Sequence, residues 1–145
     1  SQGQTASTTG NIYGIYDMSG GTWEWTSAYI ATEGNYDTYG GNLKGNSSRY
    51  KTKYAYSGTG ATDTDNYGVT ENANRKGDAV AETSTDGTGT SAWNTDYSCF
   101  IYATELFTMR GGNWGDTTGA GTFAFERGYG SCHYNVGFRA VLVVE

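Results

Sequence analysis

Twenty-three of the 145 residues are glycine and none is proline. Glycine takes left-handed backbone at no steric cost, so a chain this rich in it breaks its secondary structure into short pieces joined by turns. Without proline, collagen-like and polyproline helices are excluded, and Gly, Asn, Asp and Ser are left to make the turns. Apolar residues are 36% of the chain and mean hydropathy is −0.61, values that alone would fit disorder. The 4 Trp, 13 Tyr and 5 Phe contradict that, because disordered chains are poor in large rings. A folded, aromatic-rich domain is expected, and at this length a single one over residues 1–145.

No helix-period pattern of useful length is present. The nearest spans 72–83, where Ala73, Ala79, Val80 and Ala81 leave room for one or two short helical turns. Strand signals are clearer: alternating Ile and Tyr over 11–18, Trp, Thr and Tyr over 22–30, and a short apolar run at 107–110, each bounded by glycine. At the carboxyl end Val136, Phe138, Ala140, Leu142 and Val144 fall at period two, with Gly137, Arg139, Val141 and Val143 on the other side. That alternation predicts a buried closing strand. Segments 37–68 and 84–95 are dense in Gly, Ser, Thr, Asn and Asp and read as long surface loops. No internal repeat is visible, so solenoids and propellers drop out. A loop-rich α+β or mostly-β domain remains.

Nine Lys and Arg against 15 Asp and Glu give a net charge of −6 and a pI near 4.6. No basic stripe stands out, so neither nucleic acid nor an anionic membrane is an expected partner. No apolar run is long enough for membrane insertion by this segment, and residues 1–10 lack a signal-peptide pattern. Two cysteines, Cys99 and Cys132, permit one disulfide at most, fit no zinc or redox spacing, and leave their pairing open.

Two passages carry a resemblance. Asn11-Ile12-Tyr13-Gly14-Ile15-Tyr16-Asp17-Met18-Ser19-Gly20-Gly21-Thr22-Trp23-Glu24-Trp25 resembles the N-x-x-G-L-Y-D-M-x-G-N-x-W-E-W block of the formylglycine-generating-enzyme (sulfatase-modifying factor) superfamily. Arg110-Gly111-Gly112-Asn113-Trp114 and Gly137-Phe138-Arg139 are similar to that family's R-G-G-S-W and closing G-F-R. The resemblance implies an α+β, C-type-lectin-like fold with short antiparallel strands and little helix. It also implies a calcium site made by the Asp17 side chain, the Gly20 and Thr22 carbonyls and the Glu24 side chain, a donor set that suits a hard cation. Gly21 stands where the family usually has Asn. The alternative is that Asp17 caps a turn and Glu24 pairs with Arg139 or Arg110.

The family's enzymes bind copper through a cysteine pair just after R-G-G-S-W. Here that stretch is Gly115-Asp116-Thr117-Thr118-Gly119-Ala120-Gly121, so no copper site and no enzymatic activity are expected. His133 is the one histidine, too few for a histidine-based iron site. The chain more closely resembles the non-catalytic branch of the superfamily, the variable proteins of diversity-generating retroelements and their phage-tail, prophage and bacterial-surface relatives. The block Gly77-Asp78-Ala79-Val80-Ala81-Glu82, followed by Ser91-Ala92-Trp93 and Asp96-Tyr97, is similar to surface proteins of Gram-positive gut bacteria and their phages. Those relatives carry further scaffold upstream, so the expectation is the carboxyl-terminal portion of a longer extracellular, cell-surface or virion protein.

Such relatives use the stretch between R-G-G and G-F-R for ligand binding. Residues 113–135 have a suitable composition: rigid aromatic anchors interleaved with small and charged groups, as in antibody loops. Trp114, Asp116, Glu126, Tyr129, His133 and Tyr134 are the expected ligand-binding residues, with Trp114, Glu126, Tyr129, His133 and Tyr134 exposed and Phe123 and Phe125 in the core. The R-G-G and G-F-R strands are expected to pair beneath them. The expected partner is a protein or glycan on another cell. A true calcium-dependent lectin would need an E-P-N or Q-P-D loop and a W-N-D triplet, which the chain lacks, and no two carboxylates are placed by sequence as a glycosidase pair. A structural fibre or pilus subunit, formed by self-assembly, is the alternative.

Overall fold

The computed structural model describes residues 21–32, 38–58 and 62–138. The strand signal over 11–18 and the closing strand beyond Phe138 lie outside the described residues. The framework is one mixed five-stranded sheet. Its strands are β1 (Trp23–Ile30), β2 (Thr52–Tyr54), β3 (Phe107–Arg110), β4 (Phe125–Gly128) and β5 (Val136–Phe138). β1 is central: β3 pairs along one edge antiparallel, while β2 and β5 pair parallel with its far and near halves. β4 completes the other side, antiparallel to β3.

The all-antiparallel expectation is therefore corrected, and so is the pairing of the motif strands. The strand ending in Arg110 and the strand containing Gly137 and Phe138 do not pair; each pairs with β1. Nor does Phe138 enter the core: it is 81% exposed. Period two tells which residues share a face, but not whether another layer packs on that face.

The described residues of segment 37–68 hold more regular structure than its composition implies. It holds α1 (Gly41–Gly45), a 3₁₀ turn (Ser48–Tyr50), β2 and α2 (Asp63–Tyr67). Thr62 and Asp65 cap α2 reciprocally, satisfying orphan N–H groups that a helix this short could not otherwise offset. Where one or two turns were expected over 72–83, two occur: α3 (Thr70–Ala73) and α4 (Val80–Thr83). Segment 84–95 is a compact loop, closed by Thr85 N–H to the Ser91 carbonyl. Inside it the Asp86 carboxylate accepts from the Thr88 amide and the Thr90 hydroxyl.

The core is aromatic, and the rings pack edge to face. Tyr54 and Tyr67 meet Phe100 at 4.9 and 5.3 Å between centroids, geometry worth about 0.5–1.5 kcal/mol per pair beyond area burial. Two buried amides replace the backbone ladders that short elements cannot supply. Asn72 accepts from the Ala55 N–H and donates to the carbonyls of Ala55 and Asn66. Asn66 accepts from Ser57 N–H and donates to the Ile101 carbonyl. A chain poor in aliphatic residues thus ties its loops to the core through side-chain amides.

Candidate functional site

The expected recognition segment begins where β3 ends. Gly111 and Gly112 both have left-handed φ, +93° and +75°, and a Cβ on Gly112 would lie 2.6 Å from the Ala120 backbone. The R-G-G motif thus reads as a reversal that only glycine permits, folding 113–121 back over itself. The next turn is held by Asp116, whose carboxylate accepts from the Asn113 backbone and side-chain amides at 2.7 and 2.9 Å. Trp114 is anchored by its backbone N–H to the Gly21 carbonyl at 3.2 Å, and the residue is 71% exposed. Asp116 therefore serves Trp114 by fixing the turn, rather than offering its own oxygens.

β4 then crosses the sheet. Trp25 of β1, Met109 of β3 and Glu126 of β4 are register partners, so they stand in a row on one face. Residues 129–135 return across that row, and Trp23 N–H donates to the Asn135 carbonyl at 2.9 Å as the chain enters β5. Between the row and the returning segment lies a cleft of about 200 Å³, floored by Trp25, Met109 and Glu126 and walled by Tyr129, His133 and Asn135. Gly128 makes the floor possible, since a Cβ there would sit 2.5 Å from the Trp25 ring.

Burial, with Asp116 and Glu105 nearby, raises the Glu126 carboxyl above its ordinary range, and the Tyr97 hydroxyl is 3.4 Å away. Arg127 also lines the cleft, but its guanidinium is engaged by Asp63 and Glu105 at 2.8 Å each and lies 4.3 Å over the Tyr102 ring. His133 packs against the Tyr134 ring at 4.3 Å and shares a hydrogen bond with the Asn135 side chain.

The six expected residues do not converge on one point. Glu126, Tyr129 and His133 line the cleft. Trp114 and Tyr134 flank the start of β1, where Gly21 binds Trp114 and Trp23 binds Asn135. Tyr129 leaves β4 at the other end of the sheet, beside Tyr39. Trp114, Tyr129, His133 and Tyr134 are exposed as expected, whereas Glu126 is half-buried because it belongs to the sheet. Phe125 is fully buried and Phe123 partly so, stacked edge-on against Trp93 at 5.3 Å. Trp25 and Met109 were missed as cleft residues, although Trp23 and Trp25 at i and i+2 already marked one face of a strand.

Of the calcium ligand set, Asp17 and Gly20 lie outside the described residues. Thr22 is exposed and Glu24 half-buried at the start of β1, Glu24 in register with Arg110. Two donors are too few for an ion that takes about six to eight oxygens, so the site depends on Asp17 and Gly20. Among the described residues no group of three or more His, Cys, Asp or Glu is placed to hold a metal. Cys99 and Cys132 are both free thiols. Burial, reinforced by the Asp63 carboxylate, pushes the Cys99 thiol up to about 11.

Compared with family models, with curated proteins and with solved structures, the chain has no match in any of the three. Among the described residues no helix is long and apolar enough to cross a membrane.

Proposed function

We propose that the chain is a non-catalytic recognition domain that presents residues 113–135 to a protein or glycan on another cell, as part of a phage-tail, prophage or bacterial-surface adhesin. One observation carries this reading. Trp114, Tyr129 and Tyr134 stand 71%, 55% and 79% exposed, while Ala124 and Phe125 between them are fully buried. Rings held in water on a base fixed by the sheet supply contact area with little rotamer entropy left to lose. The C-type-lectin-like scaffold and the extracellular setting belong to the same proposal, on the strength of the two motif blocks. A non-catalytic reading is favoured by the sequence after Arg110-Gly111-Gly112-Asn113-Trp114, where Gly115 to Gly121 hold no cysteine in place of the family's copper-binding pair.

The direct test applies the immobilised domain to a glycan array and to intact bacterial cells. Trp114→Ala, Tyr129→Ala and Tyr134→Ala should each weaken the binding by about 2 kcal/mol or more with the unfolding transition unchanged. Binding indifferent to all three changes refutes the reading. A second reading, a self-assembling fibre subunit, is favoured by Phe138, 81% exposed on a strand that, among the described residues, pairs on one side only. Sedimentation would decide it: polymers lost in Phe138→Ser would replace recognition with assembly. Calcium held by Asp17, Gly20, Thr22 and Glu24 is proposed as a brace for the entry to β1. A melting temperature unmoved by chelator counts against it.

A further inference from the structure

On an acidic chain, cations are expected to be scattered and paired. Four of the nine instead surround one concavity of about 630 Å³ at the opposite edge of the sheet from β4: Lys44, Lys51, Lys53 and Arg75, with Glu71 as the one acidic lining residue. The local fold brings them together. Lys51 and Lys53 alternate on β2 and the residue before it, Lys53 in register with Tyr29 of β1. The Lys51 ammonium donates to the carbonyls of Leu43 and Lys44 at 3.1 and 2.6 Å, which docks the end of α1 against the start of β2. Arg75, just past α3, lays its guanidinium 5.6 Å over the Tyr54 ring.

Two features of this cluster lack an internal explanation. Among the described residues, Lys51, Lys53 and Arg75 have no carboxylate at ion-pair distance, in contrast to Arg127 with two. The Arg75 Nε is also shielded from water with no hydrogen-bond acceptor. A buried donor without a partner costs about 1–3 kcal/mol, and like charges drawn together repel. One ligand would offset the clustered charge: an anion with several acceptor oxygens, held by the Lys51 and Lys53 ammonium groups and the outer nitrogens of the Arg75 guanidinium. Those are the heads that bind phosphate-type oxygens best.

We propose that this concavity binds a tetrahedral oxyanion, a phosphate or sulfate group, at a site separate from the aromatic surface of residues 113–135. The site stands on its own observations and does not depend on the recognition reading.

The test is a titration of the whole chain at constant ionic strength with inorganic phosphate, sulfate and glycerol 3-phosphate, with chloride as reference, followed by calorimetry and by amide shifts. Saturable one-to-one binding is expected, with shifts at Lys53, Tyr54 and Arg75. Lys53→Gln and Arg75→Gln should each weaken it about tenfold, while Lys76→Gln, outside the lining, should not. Since Arg75 packs on Tyr54, the exposed Lys53 keeps the test decisive if Arg75→Gln fails to fold. Glycerol 3-phosphate binding as well as free phosphate would show that the group arrives as an ester; phosphate or sulfate alone would point to the free anion. Either result supports the site. Binding that does not saturate, phosphate no better than chloride, or equal weakening by Lys76→Gln would overturn it.

Discussion

β1 and the stretch 129–138 are both rich in aromatic residues and differ completely in what becomes of them. In β1, Trp23 and Tyr29 are 2% and 4% exposed, because each packs into a cluster of buried side chains, Trp23 with Met109 and Ala124 and Tyr29 with the main core. In the later stretch Tyr129, Tyr134 and Phe138 are 55%, 79% and 81% exposed, where the chain runs over the cleft and then, among the described residues, pairs with β1 alone. Burial is decided by position in the sheet rather than by ring content or alternation. A domain with 36% apolar residues that leaves such rings outside has area to spend on a partner.

The sharpest way to break this contrast is to truncate one ring from each region. Phe125→Ala, at a fully buried site next to β3, should destabilise the domain by about 3–5 kcal/mol in denaturant unfolding. Phe138→Ala should change it by no more than about 0.5 kcal/mol. Equal losses would mean that Phe138 has a partner in the native state and that the edge is not open. Next in size is Asn72→Ala. It strips the Ala55 N–H and the Ala55 and Asn66 carbonyls of their partner inside the core, a loss of about 1–3 kcal/mol. A neutral result would show that backbone pairing, and not the buried amide, holds the loop to the sheet.

These residues also mark what was legible in the sequence. Trp, Thr and Tyr over 22–30 became β1, and the run at Phe107–Arg110 became β3, since a central strand must be apolar enough to pack under its neighbours. The polar segment 37–68 hid its elements because their stability comes from the Thr62–Asp65 cap and from Asn66 and Asn72, residues whose type signals a loop. The capping pair was readable; the amides' partners across the fold were not. Exposure of Trp114 and Tyr134 was anticipated from composition, but the cleft under residues 129–135 depends on the cross-strand row Trp25, Met109 and Glu126, and register is invisible in one sequence. Two of the four clustered cations, Lys51 and Lys53, stand two residues apart in the sequence, but Lys44 and Arg75 join them only through the fold, and the overall charge of −6 obscured the pair.

The smallest effect compares the two faces of β4. On the covered face, burial would raise the Asp63 carboxyl, but hydrogen bonds from Cys99 and Arg127 outweigh it and hold the group below its ordinary value. A carboxyl depressed by folding adds stability above its unfolded pKa of about 3.9, and that stability is lost as pH falls through the folded value. On the cleft face, burial with Asp116 and Glu105 raises Glu126, so folding favours its protonated form and the domain loses stability as pH rises from about 4.3 through the folded value. The two neutral variants should therefore act in opposite directions at pH 7. Asp63→Asn should lower the melting temperature and Glu126→Gln should raise it, each by less than about 1 kcal/mol in free energy. Both differences from wild type should shrink as the pH is brought below about 4. Melting curves from pH 3 to 7 would show it. Shifts of the same sign in both variants would mean that Glu126 is paired in solution, and that its burial and acidic neighbours do not set its charge.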